Sequence, residues 1–126
     1  MRIALIASNR FPIRQPFAGG LEAHVWHLAR ALTRAGHQVA LFAAPDSDPS
    51  LDCAALQVRY LELSAAASTD PSTPGPAFMA DHHAYLTLML RLARHGTDEF
   101  DVIHNHSLHH LPVAMAPTLA TPMLCT

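Results

Sequence analysis

Phe17-Ala18-Gly19-Gly20-Leu21-Glu22-Ala23-His24-Val25 decides how this chain is read, because it joins an apolar strand to an amphipathic helix. Upstream, Met1-Arg2-Ile3-Ala4-Leu5-Ile6-Ala7-Ser8 is an apolar run long enough for a strand and short for anything else. Downstream, Leu21, Val25, Leu28 and Leu32 recur at helical spacing and form one apolar stripe. Strand, glycine-bearing loop and helix make the opening unit of a nucleotide-binding-type α/β domain. Gly19 and Gly20 permit unusual backbone angles and leave no side chain between the loop and a ligand. A helix starting there turns its free N–H groups and positive dipole end toward the crevice, which suits phosphate or carboxylate. A plain turn with no ligand is the alternative reading of the same two glycines.

The 126 residues make one domain, long enough to bury about two thirds of its unfolded surface. Half the residues are hydrophobic and only 14% are charged, well below the usual quarter, so much of the chain must face a core or a partner. All eight basic residues are Arg, scattered along the chain, and the net charge is −2. That balance offers no basic patch for nucleic acid or an anionic membrane. Cys53 and Cys125 have neither CxxC nor zinc spacing and read as thiols of a reducing compartment. The apolar N-terminal run breaks at Ser8-Asn9-Arg10, too early for a signal peptide or a membrane span, and a cytoplasmic location is expected.

After the first strand, residues 9–18 form a long connection carrying Arg10 and Arg14, which could reach an anionic ligand or simply be solvated. The helix is expected over Gly20–Ala35, ended by Gly36, and Gln38–Ala44 is expected as a second strand. One right-handed βαβ unit is then complete. No acidic residue ends the second strand and no GxGxxG precedes the helix, which disfavours a dinucleotide-dependent dehydrogenase. Residues 55–63 alternate apolar and polar and read as an edge strand. Residues 64–77, low in complexity and rich in proline, read as a surface loop. A second long helix is expected over Phe78–Arg94, stopped by Gly96, with His82 and His83 near its start read as surface residues, a role in a site being the alternative. Phe100–His106 reads as a strand, Ser107 as the N-cap of a helix over Leu108–Ala116, and Met123–Thr126 as the opening of a fifth strand. A globular domain seldom stops in mid-element, so a truncated chain is expected.

These pieces together resemble the N-terminal domain of a retaining GT-B glycosyltransferase of the family 4 type. The resemblance rests on Arg2–Ala7, on Phe17–Val25 with Leu28-Ala29-Arg30-Ala31-Leu32, and on Ala35-Gly36-His37-Gln38-Val39 in an L-x-x-x-G-H-x-V pattern beginning at Leu32. Phe100-Asp101-Val102-Ile103-His104-Asn105-His106-Ser107 is similar to the D-V-[IV]-H-x-H strand end of that family. The resemblance implies a three-layer domain with a mainly parallel sheet, the acceptor half of an active site that lies between two Rossmann-like domains. It also implies a nucleotide-sugar donor and an unidentified acceptor, with no metal or organic cofactor. Gly19 and Gly20 would meet the donor phosphates, while Glu22, His24, His106, Arg10 and Arg14 would line the acceptor side. His104 is expected as a buried histidine with a satisfied ring. The resemblance places most donor contacts, with an E-x7-E-type motif, in a second domain supplied in cis or in trans. This chain ends near where a His-Thr-like segment of the family begins. Alone it is expected to bind nucleotide sugar poorly and to self-associate through exposed apolar surface.

A competing reading takes His104-Asn105-His106-Ser107-Leu108-His109-His110 as a metal site, since H-x-H-x-x-H resembles the H-x-H-x-D-H of metallo-β-lactamase-type hydrolases. Residues two apart in a strand share a face, so His104 and His106 would bind one ion with His109 as a third ligand. Leu108 stands where that motif has its Asp, and the βαβ opening does not suit that fold. A non-catalytic α/β binding domain is the remaining alternative.

Overall fold

The computed structural model describes residues 1–56 and 62–126. Among the described residues five parallel strands form one sheet in the order β3-β2-β1-β4-β5. They are β1 (Arg2–Ile6), β2 (Gln38–Ala43), β3 (Cys53–Ala55), β4 (Val102–Asn105) and β5 (Met123–Cys125). The helices are α1 (Gly20–Arg34), α2 (Ala65–Thr69), α3 (Pro76–Glu99) and α4 (His110–Met115), with a 3-10 turn at Ala116–Thr118.

The pleat produces the layers. Ile3, Leu5 and Ala7 point to one face of β1 and pack with Val39, Leu41 and Ala43 of β2 against Val25 and Ala29 of α1. Ala4 and Ile6 point the other way, with Phe42, and meet Tyr85, Leu88, Met89 and Leu92 of α3. A sheet buried on both faces needs apolar residues at every position, and Ile3 through Ala7 are all buried. The expected three-layer Rossmann-like α/β architecture is therefore observed. Of the stripe expected on α1, Val25 is fully buried and Leu21, Leu28 and Leu32 flank it half-buried.

Gly36 ends α1 as expected. Its φ of +89° is the left-handed conformation that glycine adopts without penalty, and it lets the His37 N–H reach back to the Leu32 carbonyl at 3.1 Å.

Four expectations are corrected. Residues 64–77 are not one loop. Ser64 accepts from the Ala67 N–H and caps the short helix α2, and Pro76, suited to a first helical turn, starts α3 two residues early. Gly96 does not stop α3, which continues to Glu99. Thr121 lies so close there that a Cβ on residue 96 would sit 2.9 Å from its Oγ1, so the glycine serves a close approach. The edge strand begins earlier than expected, at Cys53, because pairing with β2 starts where Leu41 donates to the Asp52 carbonyl. Residues 57–61 of that expected strand lie outside the described residues. Finally, Ser107 does not cap the helix after β4. Leu108 adopts φ +60°, and the cap is His109, whose Nδ1 accepts from the Leu111 N–H at 3.2 Å.

Among the described residues no helix is long and apolar enough to cross a membrane. Both cysteines are unpaired.

Candidate functional site

The strand order places a crevice at the carboxyl ends of β1 and β4. From β1 the chain crosses to β2 on one side, while β4 and β5 extend the sheet on the other. In open α/β sheets ligands lie where that order reverses. Ser8 and Asn9 leave β1 there, and His106 and Ser107 leave β4. The first turn of α1 adjoins the same edge, since the His24 and His106 rings are 5.3 Å apart between centroids.

No side chain caps α1. Ala23 is its first residue whose N–H has a backbone partner, the Gly19 carbonyl at 3.2 Å, and among the described residues the amides before it have none. The glycines achieve this differently from expectation. Gly19 has φ −164° and ψ −177°, extended backbone that any residue adopts, and Gly20 already belongs to the helix. What the pair provides is bare backbone. A Cβ at Gly20 would meet nothing within 4 Å, while one at Gly19 would lie 3.0 Å from the Glu22 Oε2. Glu22 is 5% exposed and folds back against that glycine, and among the described residues no cation forms an ion pair with it.

His106 is the most unusual polar residue of the edge. It is 1% exposed, and among the described residues neither ring nitrogen has a hydrogen-bond partner. Burial, with the neighbouring His104 and His24, pushes its pKa down to about 4, so the ring is neutral at pH 7. A neutral imidazole keeps one N–H donor and one lone pair, and both are unused here. The expected roles of burial at the two strand-end histidines are thus exchanged. His104 has the satisfied ring, its Nε2 2.6 Å from the Thr126 Oγ1, but is only half-buried; full burial belongs to His106. The His106 N–H pairs with the Ile6 carbonyl, and its ring packs between those of His24 at 5.3 Å and His104 at 4.0 Å.

A cavity of about 310 Å³ opens beside this edge, lined among others by Ser8, Asn9, Arg10, Asp81 and Ser107. Asn9 donates to Asp81 at 2.9 Å, and its own buried Oδ1 has no partner. Tyr85 closes the floor and donates to the Ala7 carbonyl at 2.8 Å. Arg10 thus lies at the site, its guanidinium 5.5 Å from the Phe11 ring. Arg14 is exposed and lines none of the described cavities. The sequence reading missed Asn9, Asp81 and Tyr85. Asn9 directly follows the first strand, a position that could have marked it; Asp81 and Tyr85 reach the crevice only through the packing of α3.

The three histidines of the competing metal reading do not converge. His109 stacks on Tyr85 at 4.5 Å and on His110 at 4.4 Å, turned away because its Nδ1 caps α4. His82 joins that second group, half-buried and 5.6 Å from His110, whereas His83 is exposed as expected. Among the described residues no three His, Cys, Asp or Glu side chains are placed to hold one metal ion.

Fold and crevice together define a Rossmann-like domain with an open helix N-terminus and unused polar groups at the sheet edge. The family model for Glycosyltransferase Family 4 matches residues 18–126, and the chain belongs to that family. It is also 34% identical, over 143 aligned residues, to the glycogen synthase of Mycobacterium tuberculosis in strains CDC 1551 / Oshkosh and ATCC 25618 / H37Rv. The alignment takes in 100% of this chain and 33% of each relative, so the chain spans about a third of the length of the curated relatives it matches.

Proposed function

We propose that this chain is the acceptor-side half of a glycosyltransferase that moves a sugar from a nucleotide-sugar donor to a glycan such as glycogen. The observation that carries the reading is the 34% identity to a glycogen synthase along the entire chain, with the family's glycine loop at the open N-terminus of α1. A donor diphosphate would rest against the bare amides of Gly19 and Gly20, where dipole and N–H groups stabilise the charge that builds up on departure. Arg10 lines the adjoining cavity, and His106, neutral but buried beneath the exposed His24 ring, would reach a sugar hydroxyl when that ring moves aside. Glu22 would support the loop from beneath. Arg14, exposed and outside the described cavities, would meet the ligand only from the loop's outer side.

In this reading the domain works with a second GT-B domain, in cis or in trans, that binds most of the donor. The isolated chain binds nucleotide sugar weakly and self-associates. Exposed Leu108 and Val113 beside the sheet edge support an apolar contact there. The reaction needs no metal, because the open helix end supplies the electrostatic stabilisation. Two unpaired cysteines favour the cytoplasm. The test is transfer of labelled glucose from ADP-glucose or UDP-glucose to glycogen by a chimaera. It carries residues 1–126 in place of the corresponding third of the Mycobacterium tuberculosis enzyme.

A further inference from the structure

A larger cavity lies at the opposite end of the sheet from the crevice. It measures about 650 Å³, within the range of small-molecule sites, and occupies the angle between the last turns of α1 and the starts of β2 and β3. The angle is open because β3 is short. Pairing begins at Leu41 opposite Cys53, so among the described residues the first residues of β2 have β1 on one side and no strand on the other. Gln38 donates toward β1, to the Met1 carbonyl, and Leu41 donates toward β3. By the same alternation the Val39 amide faces the open side.

The walls differ in kind. Ala29, Val39 and Leu51 line it with apolar side chains, and Arg30 and Arg34, one helical turn apart, line it from α1. Neither arginine forms an ion pair among the described residues. Arg30 is instead held over the Trp26 ring at 4.5 Å. Trp26 is fixed in turn by a 2.8 Å hydrogen bond from its Nε1 to Asp48. Asp52 and Gln38 also line it, as groups able to meet hydroxyls.

We infer that this cavity is a second binding site, for a small organic phosphomonoester. Two guanidinium groups and a free backbone N–H are more donors than one carboxylate requires, and they match the oxygens of a dianionic phosphate. The apolar lining suits a short carbon skeleton, and the Asp52 carboxylate disfavours a longer polyanion. The inference does not rest on the transferase reading, because the cavity shares no residue with the crevice.

Trp26 is the one tryptophan of the chain, and Arg30 covers its ring, so its fluorescence reports movement of that guanidinium. The experiment titrates the 126-residue chain with glycerol 2-phosphate at constant ionic strength, with sodium sulfate and inorganic phosphate in parallel. A saturable change in Trp26 emission is expected with glycerol 2-phosphate, at lower concentration than with either inorganic anion. Arg34→Gln, an exposed change, should weaken it about tenfold, the loss of one charge-assisted hydrogen bond. Arg34→Lys should fall between the two, and Arg94→Gln, on α3, should match the parent. Far-UV circular dichroism verifies that each variant is folded. A response that does not saturate, that sulfate reproduces at equal concentration (an adventitious ion only), or that survives Arg34→Gln in a folded variant overturns the inference.

Discussion

The rings of His104 and His106 lie 4.0 Å apart between centroids, yet among the described residues only His104 has a hydrogen-bond partner. The strand end thus holds one imidazole anchored to Thr126 and one buried with both nitrogens unused. Two cationic rings at that distance repel, so the pair works in the neutral form, and both pKa values are lowered with burial as the first cause.

The pH dependence of stability follows from this pair. The His106 pKa is about 4 in the folded state against 6.5 for the ordinary side chain. Between those values the unfolded chain takes up a proton that the folded chain refuses. The contribution is fully present above about pH 6.5 and is lost as pH falls through about 4. His106→Phe should therefore reduce the fall in unfolding free energy between about pH 7 and about pH 4.5, by about 2 kcal/mol. Urea unfolding of both proteins at the two pH values is the measurement. Identical pH dependence in the variant would assign the sensitivity to other groups.

Tyr85 ties α3 to the end of β1 through its hydrogen bond to the Ala7 carbonyl. Its hydroxyl is buried, and burial raises its pKa well above the ordinary value. Tyr85→Phe leaves the Ala7 carbonyl without that donor and should destabilise the fold by about 1 kcal/mol. Denaturant midpoints with an unchanged slope would verify it, and no shift in midpoint would mean that water replaces the hydroxyl.

At residue 96 close approach and helix propensity oppose each other. Alanine is the better helix former by about 1 kcal/mol, but its Cβ would meet Thr121 Oγ1 at 2.9 Å. Thr121 is 3% exposed with its hydroxyl unpartnered, so it has little room to turn away. Gly96→Ala should destabilise by about 1–2 kcal/mol, as overpacking does. Adding Thr121→Ala should recover most of that loss, giving a coupling of at least about 1 kcal/mol in a double-mutant cycle. Additive effects would show that the two positions do not press on each other.

The layers of this fold were legible in the sequence because they depend on local periodicity. The apolar run from Ile3 to Ala7 marked a strand, which the fold buries on both faces, and the spacing of Leu21, Val25, Leu28 and Leu32 marked the α1 stripe, of which Val25 is the fully buried member. Gly96 misled because glycine signals two things, a left-handed stop and a close contact. Gly36 is the first, with φ +89°, and Gly96 the second, and only tertiary packing separates them. Candidate-site residues on the strand ends and at the α1 N-terminus, such as His106 and Gly20, could be placed from sequence order. Asp81 and Tyr85 could not, since α3 brings them to the crevice from more than 70 positions away along the chain. The exchange of burial between His104 and His106 likewise depends on where β4 ends, a matter of one residue.

The most direct measurement is glucose transfer to glycogen by the chimaera bearing residues 1–126, with and without Gly20→Trp. A Cβ at Gly20 meets nothing within 4 Å, so the substitution should leave folding intact while the indole covers the open amides of α1. An active chimaera is expected, with a transfer rate that falls by at least about a hundredfold on Gly20→Trp, the scale of removing a backbone donor from a developing anion. A folded chimaera without transfer, or a Gly20→Trp variant as active as its parent, would contradict it.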